Sequence, residues 1–298
     1  MNNITSTAYE EFKNRFKLFI GKNPDLIANT LSNILSMRII GNKTHGDLAE
    51  IGISEFINLF MYDFKSTHVG KDLFRSKSHE EDILVESVVG PQKGVGIPIS
   101  LKAYSDGPLQ LSTDKDQVFF SYLLKQGKYI EDPETIKNIL SSKEFSTIYS
   151  INVMPLIYDE KNTRCNIMIF DFQKAYQNTA RILFIDKNET FDETTGKIVS
   201  GGGRKHPIYL FVDALNQYIC EVRYGGASAN ALQRGFWTHT KNALPYFDSL
   251  TNGWIGYSLN QTLVKLISIA LNASVSGHEK ANDILLQDID TIKEKNGI

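Results

Sequence analysis

Cysteine is nearly absent: 298 residues contain two, Cys165 and Cys220. Two thiols cannot build a disulfide framework or a cysteine-based zinc site, so they read as reduced core thiols of a cytoplasmic protein. None of the six histidines falls in H-x-x-x-H or H-E-x-x-H spacing, which excludes that zinc-hydrolase pattern. Gly70-Lys71 is followed by Asp72 rather than Ser or Thr, so no Walker loop is present and an ATP-driven motor is excluded. The G-x-S-x-G elbow of the α/β-hydrolases is missing too. Neither sign of charge dominates. Lys and Arg number 32 against 34 Asp and Glu, a formal net charge of −2. That excludes a strongly basic nucleic-acid coat and a polyanion mimic, but not a local basic cleft, because net charge is silent on distribution. No long apolar run occurs. The best stretch, Leu259 to Ala273, is broken by Asn260, Gln261, Thr262 and Lys265, too short and too polar for a bilayer span. The first nineteen residues are polar and charged and hold no apolar leader core. The expectation is a soluble, cytoplasmic protein with no membrane partner.

What is present is a globular composition. Hydrophobic residues make up 42% and charged residues 22%, enough to bury a core and too apolar for wholesale disorder. Residues 1–70 read as helical. Leu26, Ile27, Leu31, Ile34, Leu35 and Ile39 recur at helical spacing, and Leu48, Ile51, Phe56, Leu59 and Phe60 repeat the rhythm after a Gly41-Asn42-Lys43 turn, with Thr44 as N-cap. From about residue 80 the texture becomes β-branched. Asp82–Val89 and Ile97–Tyr104 flank the cluster Gly90-Pro-Gln-Lys-Gly-Val-Gly96, a hairpin signal. Helix returns near 116–126 and 133–142. Strands are expected over 147–157, 166–172, 180–185, 208–212 and 218–224, with loops at 186–197 and 201–206. Helix is expected over 228–242, 259–273 and 278–295. There is no regular βαβ alternation, no internal repeat and no low-complexity linker. The pattern predicts an α/β (α+β) fold with a central mixed β-sheet flanked by helices, in one catalytic domain spanning residues 1–298. Its parts would be a helical segment 1–70, a core sheet 80–225 and a helical segment 228–298.

The chemistry concentrates in the hairpin. If it is symmetric about its glycine-rich loop, Asp82 lies opposite Lys102 and Leu84 opposite Ser100, and opposed residues share a face of the sheet. An acid, a Lys and a Ser would then cluster, although a one-residue slip would send one member to the other face. Phosphodiester hydrolysis needs such a group: a carboxylate to hold a divalent cation, and a Lys to orient the attacking water or stabilise the anionic transition state.

Asp82, a hairpin-sized gap and then Ser100-Leu-Lys102 resemble the PD-(D/E)xK nuclease superfamily, in the S-x-K variant found in some type II restriction endonucleases. Two departures stand. Glu80 and Glu81, not Pro, precede Asp82, and Ser100 cannot supply the carboxylate of the D/E position. In the S-x-K subgroup a second carboxylate follows farther along the chain, and Asp116, or Asp114 close by, stands at the matching distance from Lys102. Many members also carry a Glu on a helix before the hairpin, which matches Glu50, with Glu55 as second candidate. The resemblance implies a restriction-endonuclease-like fold and Mg²⁺ held by Asp82, the Leu101 carbonyl and Glu50 or Asp116. It further implies a catalytic group of Asp82, Ser100, Lys102 and Glu50, and cleavage of double-stranded DNA to 5′-phosphate and 3′-hydroxyl ends. A homodimer is expected, because two-fold symmetry matches a palindromic site and supplies one active site per strand.

DNA contacts are sought in three polar segments. The run Tyr104 to Asp114 follows the catalytic strand and offers Gln110, Ser112 and Thr113. The glycine-rich loop 201–206 offers Arg204 and Lys205 to a phosphate backbone. Arg223-Tyr-Gly-Gly-Ala-Ser-Ala-Asn230 leaves a strand and enters the expected helix capped by Ser228, bringing Arg223, Asn230, Gln233 and Arg234 to a face where Asn and Gln can read adenine and Arg guanine. Two alternatives stay open: a DNA-binding protein that keeps the fold without the chemistry, and a repair nuclease that reads DNA structure rather than sequence.

Overall fold

The computed structural model describes residues 3–38, 45–69, 81–105, 107–112, 118–146, 148, 151–224 and 235–265, with isolated positions from 287 to 295. The protein is mixed α/β, with a central mixed sheet flanked by helices.

Three helices come first: α1 (Asn3–Lys22), α2 (Pro24–Arg38) and α3 (His45–Phe60). Each buries one stripe. On α1 it is Ala8, Phe12, Phe16 and Ile20, and on α3 it is Ala49, Ile53, Phe56 and Ile57. These are the i, i+3, i+4 spacings that put side chains on one helical face. Gly52 lets α2 and α3 approach closely, since a Cβ there would stand 2.8 Å from the Ile34 side chain.

The central sheet runs β1 (Phe64–His68), β2 (Ile83–Ser87), β3 (Gly96–Ser105), β6 (Asn152–Asp159), β7 (Arg164–Phe170) and β14 (Phe247–Ser249), with β15 (Ile255–Gly256) also on β7. The β3–β6 pair is parallel and its neighbours are antiparallel. A parallel pair needs a long crossover. Here it contains α4 (Val118–Gln126), α5 (Pro133–Leu140) and α6 (Lys143–Ser146). One face of the sheet packs on α1–α3 through Ile83, Val85, Ile97, Ile99, Leu101, Met154 and Leu156. The alternate residues Val153 and Ile157 join a second core with α4–α6 and with α7 (Phe172–Asn178).

That second core is closed by a sheet with the order β4 (Pro108–Ser112), β13 (Gly235–His239), β12 (Tyr218–Arg223), β11 (Ile208–Val212), β8 (Arg181–Ile185) and β5 (Tyr129–Ile130). Its inner face is aromatic. Phe211 and Phe236 stack edge-on at 5.4 Å, and Phe236 lies 5.9 Å from Phe172 of α7, next to Phe170 of the central sheet. A hairpin, β9 (Glu189–Asp192) and β10 (Lys197–Ser200), lies against the outer face.

Four expectations are corrected. Residues 186–197, read as a loop, contain β9 and the start of β10. Phe64–His68, inside the segment 1–70 read as helical, is strand β1, paired with β2. The helix expected over 228–242 is not formed at its C-terminal half: Gly235–His239 is strand β13, paired with both β12 and β4. Its Phe236, Trp237 and Thr238 are strand-prone, and two waiting sheet edges outweigh a weak helical rhythm. The hairpin register differs as well. Ile83 pairs with Ile99 and Leu84 with Pro98, which carries Asp82 opposite Ser100 rather than Lys102. The loop sets this register: Gly90 and Gly94 take positive φ, and Gly94 N donates to Ser87 O. A shift of two residues keeps every side chain on its face.

Candidate active site

The central sheet changes character at Asp82. β2 begins at the next residue, Ile83, while β3 runs on past it to Ser105 along β6. The ladder is irregular at this point: the Asp82 carbonyl accepts from Val69 N on the β1 side, whereas Asp82 N turns the other way and donates to Ile99 O at 3.0 Å. The Leu101 amide, which points to the edge that β2 no longer covers, is taken by the Asp82 carboxylate at 2.7 Å. The same Oδ2 accepts the Ser100 hydroxyl at 3.0 Å and the Lys102 ammonium at 3.4 Å. Among the described residues Oδ1 accepts no hydrogen bond.

The three side chains of this group differ in exposure. Ser100 is 3% exposed, the Asp82 side chain 21% and that of Lys102 38%. The charges therefore meet at the rim of the sheet, with the serine behind them. Ser100 and Lys102 alternate with Ile99 and Leu101, whose side chains belong to the core under α1–α3. They accordingly face the other way, towards the second core. Tyr104, next on that face, reaches Thr240 at 3.5 Å and ties β3 to the end of β13.

Glu50 has a different partner. Its Oε2 lies 3.0 Å from His68 Nε2, with both side chains largely buried. His68 pairs with Ile83, the residue after Asp82, and Val69 N donates to Asp82 O. Opposed residues share a face, so the imidazole lies with Ile83 on the α1–α3 side of the sheet, away from the face of Asp82, Ser100 and Lys102. His68 was missed by sequence reading. Its signal is the alternating Phe64-Lys-Ser-Thr-His68, which falls inside the segment 1–70 read as helical and is instead strand β1. α3 is keyed to β1 by polar contacts: Ser54 Oγ donates to Ser66 Oγ, and the Asn58 amide exchanges two hydrogen bonds with the Ser66 backbone. Those contacts fix the height of Glu50. Glu55 is exposed on α3. Asp114 and Asp116 lie outside the described residues, and so does the N-cap Thr44. Among the described residues no three His, Cys, Asp or Glu side chains gather closely enough to hold a metal ion.

The expected DNA contacts divide. Gln110 pairs with Trp237, and Trp237 with Glu221, so Gln110 shares the outer face of the second sheet with Glu221 and Arg223. Arg204 and Arg223 both bind Glu221, a residue sequence reading passed over. Lys205 is exposed beside them. Ser112 is a correction: it is 5% exposed in β4, too deep to present its hydroxyl to a groove. Thr113, Asn230, Gln233 and Arg234 lie outside the described residues. The loop expected at 201–206 is present between β10 and β11.

Comparison with protein-family models, with curated proteins and with solved structures gives no match.

Proposed function

We propose that the protein is a Mg²⁺-dependent, sequence-specific endonuclease of double-stranded DNA, of the type II restriction class. The observation that carries this reading is the convergence of Ser100 Oγ, Leu101 N and Lys102 Nζ on one oxygen of Asp82, at the rim of a sheet where a strand ends. A carboxylate held by three donors is fixed in orientation, while its other oxygen remains to bind a cation.

The residues fit a hard cation in a minimal way. Mg²⁺ takes oxygen ligands, often one or two carboxylates, and fills the rest of its shell with water and substrate oxygens. Asp82 Oδ1 would be one ligand. The Leu101 carbonyl would be the second, since in extended backbone the C=O projects to the same edge as its own N–H. When bound, the ion would neutralise phosphate charge and acidify a water. The chain's own contribution is positional. Asp82 anchors Lys102, and the ammonium then stands where it can orient the attacking water and offset the charge growing on the phosphate. Ser100, buried and donating to Asp82, holds the carboxylate without adding a second negative charge. The Glu50–His68 pair buttresses the start of β2 from the next strand. Gln110 and Lys205 are the remaining groove and backbone contacts, and a homodimer would supply one such site per strand.

The test is digestion of phage DNA with Mg²⁺ by the full chain. Discrete fragments with 5′-phosphate ends are expected, together with a loss of about 10²–10⁴ in rate for Lys102→Ala and for Asp82→Asn. Normal cutting by Lys102→Ala would refute the site. Tight DNA binding without cleavage of any sequence would instead select a non-catalytic binder.

A further inference from the structure

The outer face of the second sheet carries a second group of charges, separate from Asp82. Leu210, Glu221 and Trp237 share this face by register, and β9–β10 lies over it with Phe191 beneath the Arg181 guanidinium. Between hairpin and sheet is a cavity of about 210 Å³, with Arg204, Arg223, Glu221, His239, Asn242 and Thr190 on its walls.

The wall is built around a buried carboxylate. The Glu221 side chain is 3% exposed. One of its oxygens accepts Arg204 Nη1 at 3.4 Å, and the other accepts Arg223 Nε. The Arg223 guanidinium also lies 4.5 Å from the centre of the Trp237 ring. Among the described residues each arginine side chain spends one N–H on Glu221 and makes no further hydrogen bond to a protein group. Two guanidiniums thus meet one buried carboxylate inside the cavity, and the other acid on its wall, Glu193, is exposed on the hairpin. Such a triad does little for stability, because desolvation offsets the attraction. His239 adds a buried Nδ1 that has no hydrogen-bond partner among the described residues.

We infer that this cavity is an oxyanion site for a phosphate-bearing ligand, in which Arg204 and Arg223 take the phosphate oxygens and Glu221 is the positioning residue that holds both guanidiniums. Paired arginines match the oxygens of a phosphate. A carboxylate would use two oxygens, whereas the imidazole, the Asn242 amide and the Thr190 hydroxyl provide for more acceptors than that. A volume of about 210 Å³ leaves room for a group attached to the phosphate. The site does not rest on the nuclease reading, since it shares no residue with the Asp82 group and faces away from the core beneath Phe211 and Phe236.

The experiment titrates the full chain with inorganic phosphate and with a 5′-nucleoside monophosphate, read by calorimetry and ³¹P line shape. Saturable binding is expected for the wild type, about tenfold weaker in Arg204→Gln and intermediate in Arg204→Lys, which keeps the charge and loses the fork. Arg204 is the most exposed member of the triad, so its replacement spares the core, and circular dichroism checks the fold. No saturable binding of either probe, or equal affinity in wild type and Arg204→Gln, overturns the proposal. A short duplex then identifies the source of the phosphate. If Arg204→Gln weakens duplex binding and lowers its salt slope by about 0.9, the ligand is a DNA backbone phosphate. If duplex binding is unchanged while mononucleotide binding falls, it is a free phosphorylated small molecule. Both readouts are of binding, so the outcome is independent of cleavage at Asp82.

Discussion

At the scale of single residues, the Asp82 group sets a serine where a second acid would be expected. With Ser100 donating to Asp82 Oδ2 at 3.0 Å, only one negative charge has to be balanced by Lys102. Ser100→Ala should therefore slow cleavage less than loss of Lys102 does, by about tenfold, since it removes one hydrogen bond to a charged group. Steady-state rates at saturating Mg²⁺ check this, and a loss as large as that of Lys102→Ala would mean that the hydroxyl takes part in the chemistry itself. The three members Asp82, Ser100 and Lys102 were legible in the sequence, because strand alternation joins them on one face in either register. His68, Glu221 and His239 were not. The partners of the first two, Glu50 and Arg204, stand 18 and 17 positions away, His239 joins Glu221 and Arg204 only in the fold by lining the cavity, and no local pattern connects such positions.

At the scale of elements, the β9–β10 hairpin and the segment after it form the lid of the phosphate cavity. Gly202 makes their docking possible. A Cβ at this position would lie 2.0 Å from the Glu189 carbonyl oxygen, a backbone atom that cannot turn aside. Gly202→Ala should push the segment carrying Arg204 off β9 and cost about 1–3 kcal/mol, the usual range for overpacking. Thermal unfolding measures the cost, and phosphate affinity should fall with it. A variant as stable as the wild type would show that the segment relaxes freely. Elements with strong local signals were legible: α2, α3, α5, β6, β7, β8, β11 and β12 all fall within a few residues of expectation. β13 was misread, because Phe236 and Trp237 fit a helical stripe as well as a strand. The choice was made by the open edges of β4 and β12, which lie far off in sequence.

At the scale of the whole molecule, two cores lie on opposite faces of the central sheet, and titratable groups are sealed in them. Burial pushes the Cys165 thiol from its ordinary 9.0 up to about 12 and the Tyr209 phenol from 10.0 up to about 12. A folded value above the unfolded one means that the neutral form is stabilised. That contribution is complete below about pH 9 and is lost as pH rises towards 12. For Cys165 the loss is of order 4 kcal/mol across that window. Urea melts at rising pH should show stability falling from about pH 9, and Cys165→Ala should fall less steeply despite a lower starting point. Equal slopes would remove Cys165 as a contributor. Among the described residues no helix is long and apolar enough to cross a membrane.

The sequence by itself determined the class of fold, the position of the hairpin and the company of Asp82, Ser100 and Lys102. Those follow from periodicity and turn chemistry, which act within a few residues. Only the tertiary structure decided the rest: the register that brings the Leu101 amide to Asp82, the pairing of Glu50 with His68, the second sheet, and the cavity where Glu221 holds two arginines. These depend on which strand edges meet and which faces are buried. Such outcomes are set by hydrogen bonding and desolvation over the whole chain, and no local segment encodes them alone.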